Sequence, residues 1–234
     1  KIWVYPATLS VDKGNIVITD RFTVAEKALK EGKKVLFNPP YESLKGLDYL
    51  DTIYHAIVNE HPIQLKYRSF KARSANSFIF YPYLLKEYRN RWFVYGVRGN
   101  GRILQNLALD RIQSLEVLPQ EHYIKNTFFD PNTFFDDLVG VTKNTGSVAE
   151  KVGFKVAAAE APYIITKPIH RSQQVVERLA DGSVILEIEV VINHELERVF
   201  FGYAEGIQVL YPKTLVELMG RKLKKAAEQY THSK

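Results

Sequence analysis

Residues 77–112 read SFIFYPYLLKEYRNRWFVYGVRGNGRILQNLALDRI, and this stretch decides the fold. Ile79, Tyr81 and Tyr83 alternate with Phe78, Phe80 and Pro82, the period-2 pattern of a strand carrying bulky side chains on both faces. Tyr88, Arg89 and Asn90 interrupt it, and Arg91–Val97 resumes it with the aromatic and β-branched residues that fill pleated surfaces. Asn100-Gly101 is the pair a two-residue type I′ turn demands, so a third antiparallel strand is expected over Arg102–Leu109. The flanks extend this meander. Ile63–Phe70 alternates as a preceding strand and Ile112–Leu118 as a closing one. Leu47, Leu50, Ile53, Tyr54, Ile57 and Val58 recur at helical spacing and predict an amphipathic helix over Asp48–Glu60 that ends at His61-Pro62. Trp92, in the central strand, is expected to pack between sheet and helix.

Charge concentrates on the same stretch. The chain has a formal charge of +6, and between His61 and Leu118 ten basic residues stand against three acidic ones. Seven of the ten are Arg, whose planar fork suits phosphate and stacks on aromatic rings. Tyr67, Tyr81, Tyr83, Tyr88, Trp92 and Tyr95 interleave with them, the composition of an anion or single-stranded nucleic-acid surface rather than of a merely solvated face.

The rest of the 234 residues supports this region. Residues 1–46 read strand, turn, strand, helix, strand, a short β-α-β segment. Pro119–Gly146 lacks a period, yet Phe128, Phe129, Phe134 and Phe135 predict a connector that is packed down, with room for a short helix. From Glu150 the pattern is mixed α+β. GFKVAAA reads as a strand, Ser172 as the N-cap of a helix over 173–179, Ser183–Ile192 as a strand, Glu195–Tyr203 as a helix and Ile207–Tyr211 as a strand. Pro212 opens a final helix whose Leu215, Leu218, Met219, Leu223, Ala226, Ala227 and Tyr230 make one apolar stripe.

Composition excludes several chemistries. With no cysteine there are no disulfides, thiolate nucleophiles or cysteine-ligated metals. No apolar run approaches the roughly 18 to 20 residues of a membrane span and no signal-peptide leader is seen, so a soluble, cytoplasmic protein is expected. The six histidines are scattered, His194-Glu195 lacks the second His of HExxH, and Gly96, Gly99 and Gly101 are spaced for a turn rather than for GxGxxG. Asp110 beside Arg111 reads as an ion pair or backbone clamp, and His170 as a hydrogen-bonded structural residue. The expectation is a protein that is not an enzyme and uses no cofactor or metal. A protein–protein interaction module and a nucleotide-processing enzyme are the alternatives.

The runs PYLL, RWFVYG and LALDRI together resemble the signature of the WYL-domain family of bacterial transcriptional regulators, named after a Trp-Tyr-Leu triplet whose place Trp92-Phe93-Val94 takes here. PIHRSQQVVERLADGS (168–183) and IQVLYPKTL (207–215) resemble the WCX extension that follows such domains. The resemblance implies an α+β chain: an SH3/Sm-like small β-barrel over 47–119, a packed connector over 120–147, and a sandwich-like α+β domain over 148–234. It implies effector sensing, with single-stranded DNA or RNA or a nucleotide held in a groove on the barrel, and a homodimer. Carried over by position, it points to Tyr67 and Ser69 at the polar end of the first strand, and to Tyr83, where a His is frequent. It adds Arg91 with Trp92, then Arg102, and finally Asp110 with Arg111. Family members usually begin with a winged helix-turn-helix, and residues 1–46 show no such pair of helices.

Overall fold

The structure is a computed structural model that describes residues 9–12, 15–18, 46–99, 101 and 103–231. The chain divides into two compact units, 1–45 and 46–234. In the first, strands β1 (Leu9–Asp12) and β2 (Asn15–Ile18) form an antiparallel hairpin in which Leu9 faces Ile18. The β-α-β reading did not include the first of these strands, and its helix and remaining strands lie outside the described residues.

The second unit begins with a one-turn 3-10 helix, Leu47–Tyr49, continued by α1 (Leu50–Val58). A five-stranded antiparallel sheet follows: β3 (Ile63–Tyr67), β4 (Asn76–Tyr88), β5 (Arg91–Arg98), β6 (Leu104–Ala108) and β7 (Ile112–Val117), in the order β6-β5-β4-β3-β7. The β4–β5 hairpin turns on Arg89 and Asn90, both at positive φ (50° and 63°), as the right-handed twist of a two-residue hairpin requires. The next hairpin departs from expectation. Val97 faces Leu104, so β6 starts at Leu104 rather than at residue 102. Asn100 and Arg102 lie outside the described residues.

Ile53 and Ala56 of α1 cover a core of Ile63, Leu65, Phe80, Val94, Leu107, Leu109 and Ile112, with Trp92 half-buried against it as expected. Complete burial of side chains of this size contributes about 1.5–3 kcal/mol each. The mixed α+β class holds, but the sheet expected to form a small SH3/Sm-like barrel is not closed. Among the described residues no ladder joins edge strands β6 and β7, because the chain crosses between them through a three-residue 3-10 turn, Leu109–Arg111, which has no strand partner to offer.

The connector forms turns without a helix and is packed down as its aromatics predict. Tyr123 Oη donates to the Pro82 carbonyl at 2.5 Å, Phe128 stacks on Tyr83, and Phe134 and Phe135 meet the ring of Tyr95 edge-on. Residues 137–142 then serve both halves of the unit. The Val141 carbonyl accepts from Tyr95 Oη and from Asn106 Nδ2. The Asp137 carbonyl accepts from Val191 N, while the Val139 and Thr142 carbonyls accept from Asn193 Nδ2.

The C-terminal half runs β8 (Glu150–Val156), α2 (Ala161–Thr166), β9 (Gln174–Arg178), β10 (Val184–Val190), α3 (His194–Phe201), β11 (Ile207–Tyr211) and α4 (Lys213–Thr231). Its antiparallel sheet has the order β11-β8-β10-β9, a βαββαβ ferredoxin-like arrangement with an added helix. Val152, Phe154, Leu186, Ile188 and Val190 point to one face and meet Ile164, Leu196, Phe200, Leu215 and Met219 of the helices.

The helix expected over 173–179 is instead strand β9. Val175 and Val176 favour the pleat, and Ser172 Oγ exchanges hydrogen bonds with the Glu189 backbone rather than capping a helix. Helix α2, with Pro162 in its first turn, carries too short a pattern to stand out in the sequence. The apolar stripe of α4 is used only in part: Leu215 and Met219 are buried, whereas Leu223 and Tyr230 are exposed.

Candidate functional site

The turn Leu109–Arg111 is the centre of the site, and three contacts fix it. Gly46, at φ 88°, lets the entry to α1 lie against the Leu109 carbonyl, where a Cβ would come within 2.4 Å of backbone. Arg68 N donates to the Arg111 carbonyl at 3.2 Å, joining the turn to the end of β3. From the first residue of β5, Arg91 Nε reaches Asp110 Oδ2 at 3.2 Å.

These contacts aim Arg111 into a cleft of about 290 Å³ lined by Arg68, Ser69, Phe70, Asp110, Arg111, Ile112 and Gln113. The Arg111 guanidinium lies 4.3 Å from the centre of the Phe70 ring, and Phe70 itself is 74% exposed. Arg111 Nε stands 4.0 Å from Asp110 Oδ1, and both atoms are buried without a hydrogen-bond partner among the described residues. A guanidinium carries five N–H donors in a planar fork. With Nε turned toward Asp110, the terminal nitrogens are the donors that serve Tyr67 and face the cleft. Behind it, burial raises the Tyr67 phenol above its usual range, opposed by the Arg111 charge and by hydrogen bonds from the Ala108 backbone and Arg111. Tyr67 therefore stays neutral at physiological pH.

The structure thus brings together Tyr67, Ser69, Arg91, Asp110 and Arg111 of the residues expected from sequence. Tyr83 is not among them. It sits at the irregularity between Pro82 and Leu84 in β4, 8% exposed, beneath Tyr123 and Phe128. Among the described residues its hydroxyl has no partner, and burial pushes it up to about 12. Trp92, Phe93 and Val94 are half-buried or buried along β5 and serve packing. Arg102 lies outside the described residues.

Phe70 was missed as a site residue, although RSFKAR (68–73) signals it: an aromatic between basic residues just past a strand end has no core to enter. Arg98 was missed in the same way. Its guanidinium lies 4.0 Å from the centre of the Phe78 ring. Among the described residues no three His, Asp or Glu gather as a metal site, and no helix is long and apolar enough to cross a membrane.

An antiparallel sheet with an Arg-lined, aromatic cleft, followed by a ferredoxin-like domain, sets the class of protein, and comparison with known families agrees. The WYL domain model matches residues 48–117 and the WCX domain model residues 149–227. The chain belongs to the WYL-domain family of bacterial transcriptional regulators and carries the WCX extension. The WYL and WCX families are regulatory domains.

No curated protein matches the sequence. Among solved structures it is similar to proteasome accessory factor B/C (PafBC) of Arthrobacter aurescens, at 18% identity and a TM-score of 0.34, over 76% of this chain and 27% of that one. It is also similar to a CRISPR Cas-related protein, at 13% identity and a TM-score of 0.48, over 80% of this chain and 53% of that one. The chain thus spans between about a quarter and a half of these larger chains.

Proposed function

We propose that the chain senses an effector by binding single-stranded nucleic acid or a nucleotide in the cleft beside the Leu109–Arg111 turn. The observation that carries this reading is Arg111, held between Asp110 and the exposed ring of Phe70. The terminal nitrogens of Arg111, the Ser69 hydroxyl and the exposed Arg68 meet phosphate, and Phe70 offers a face on which a base stacks. Arg91 secures Asp110 from behind, so it positions the site. No step of covalent chemistry is assigned to these groups.

The five strands and the 3-10 turn joining the last two are read as an opened SH3/Sm-like barrel. Self-association is assigned to the C-terminal half as a homodimer, supported by the exposed Leu223 and Tyr230 of α4. A cytoplasmic location suits a cysteine-free regulator.

Fluorescence anisotropy with labelled single-stranded and duplex oligonucleotides over a salt series tests the reading. Tighter binding of the single strand, falling steeply with salt, is the expected result. Equal affinity for both forms, or no salt dependence, overturns it.

A further inference from the structure

Away from the cleft, a polar cluster around the half-buried His170 joins the C-terminal half to the connector. His170 lies in residues 167–173, between α2 and β9, and its neighbours hold this loop on three sides. Gln173 Nε2 donates to the Ile164 carbonyl, while Gln173 Oε1 accepts from Ile169 N, both at 2.9 Å. Ser172 Oγ accepts from Glu189 N at 2.9 Å and so ties the loop to β10. Arg171 Nη2 reaches Asp136 Oδ2 at 2.7 Å and ties it to the connector.

The hydrogen bonds assign the ring its tautomer. Ser172 N donates to His170 Nδ1 at 3.2 Å, and Ser172 Oγ stands 2.7 Å from the same atom. Nδ1 is therefore the bare nitrogen and Nε2 carries the proton. A second proton on Nδ1 sets two donors head-on. The Ser172 hydroxyl has an alternative acceptor in the Glu189 carbonyl at 3.2 Å, but the Ser172 backbone N–H cannot turn away.

The added charge is also unmatched. Asp136 already has Arg171, and Asp137 already has Lys143 at 2.7 Å. Glu189 meets the loop through its backbone and is itself exposed. Burial holds the ring below the usual imidazole range and the Arg171 charge adds to this, against the backbone of Asp136 and the two carboxylates.

We propose that His170 is a proton-operated clip, whose neutral ring holds the 167–173 loop on the connector and whose protonation releases it. The released segment includes Asp136, which directly follows Phe134 and Phe135, the rings that meet Tyr95. Mild acid thus loosens the connector on its C-terminal side. The clip is independent of what the Arg111 cleft binds.

The sign follows from linkage. A group held neutral by the fold contributes fully above its unfolded value of about 6.5, and that contribution is lost as pH falls toward the folded value.

Amide hydrogen exchange of the whole chain, corrected for intrinsic rates, tests the clip at about pH 7.5 and about pH 5.5, both above the ordinary carboxylate range. The reporters are Asp136 N and Leu138 N, which donate to the Thr133 and Phe135 carbonyls. Amides of β8 and β10 report global opening. In the wild type the connector amides should lose protection at the lower pH, by up to about tenfold per pH unit below 6.5, and by more than the core amides. His170→Asn, which offers Ser172 N an acceptor that does not titrate, should remove this pH dependence.

Equal connector protection at the two pH values overturns the proposal, as does a loss shared equally with the core. A pH dependence that survives in His170→Asn assigns the effect to another group and overturns it too. Should that variant not fold, the wild-type ring decides: long-range proton–nitrogen spectra at neutral pH should show His170 protonated on Nε2, and a proton on Nδ1 overturns the clip.

Discussion

Tyr95 and Asn106 face each other across β5 and β6 and donate to one acceptor, the carbonyl of Val141. Four residues earlier along the same connector, the Asp137 carbonyl accepts from Val191 N at 2.8 Å, and Asn193 Nδ2 binds the carbonyls of Val139 and Thr142 at 3.0 Å each. Connector residues 137–142 thus tie the sheet that carries the cleft to the start of α3. Asn193 also caps that helix by accepting from Leu196 N. Asn193→Ala is expected to destabilise the chain by about 2–3 kcal/mol, combining a lost cap with buried carbonyls left unpaired. Tyr95→Phe should cost about 1 kcal/mol, because Asn106 still serves Val141. Urea unfolding of both variants checks the order. Equal effects would mean that the connector does not bear on α3 through Asn193.

Gly46 is a sharper lever on the site. A methyl group there meets the Leu109 carbonyl at 2.4 Å on backbone already at φ 88°, so neither neighbour can yield cheaply. Gly46→Ala is expected to cost on the order of 2 kcal/mol or more. Because the displaced atoms belong to the turn that carries Asp110 and Arg111, oligonucleotide affinity should fall as well, measured where the variant is folded. A loss of stability with affinity unchanged would detach the turn from binding.

Alkaline pH acts on the aromatic layer beneath the connector. Burial raises Tyr83 to about 12 and pushes Tyr95 and Tyr123 higher still. These phenols are raised in the folded chain relative to about 10 when unfolded, so their contribution is complete below pH 10 and is lost as pH climbs through the folded values. Stability should therefore decline from about pH 10 upward. Tyrosinate absorbance should show a late-titrating class that merges with the rest on denaturation. A single tyrosine class near pH 10 in the native protein would contradict the packing of the connector.

Phe70 separates binding from folding. At 74% exposure it holds little of the core, so Phe70→Ala should leave the thermal midpoint near that of the wild type. Loss of a stacking face should weaken single-stranded binding by about 1–3 kcal/mol. Titration of the variant with a labelled oligonucleotide decides this, and full affinity would remove Phe70 from the site.

Much of this was legible in the residues, for physical reasons. Strands β3, β4, β5 and β7 carry strong period-2 patterns, and α1 carries an unbroken helical stripe from Leu47 to Val58, so each lies where its pattern placed it. The run 173–179 misled because QQVVERL suits either state in isolation. Its identity as β9 is settled by pairing with β10 and by the Ser172–Glu189 hydrogen bonds, which are tertiary. Of the candidate site, Asp110 and Arg111 came from the resemblance of LALDRI to the WYL signature, since the residues alone read as an ion pair or backbone clamp, and the structure sets them side by side at the cleft. Tyr83 was carried over by its position in the family pattern, which says nothing of what covers it here, and Tyr123 and Phe128 arrive from forty or more positions away. Phe70 and Arg98 escaped because stacking geometry leaves no periodic trace.

The most direct test of the account is Arg111→Gln, read by thermal midpoint and by single-strand titration over a salt series. Gln keeps the bulk of the side chain and removes its charge. If Arg111 grips phosphate, affinity falls for every base sequence, the salt slope flattens by about 0.7, and the midpoint stays within a few degrees of wild type. If Arg111 serves only to pair with Asp110, the midpoint drops while affinity and salt slope are unchanged at temperatures where the variant is folded, and the cleft is not the binding site.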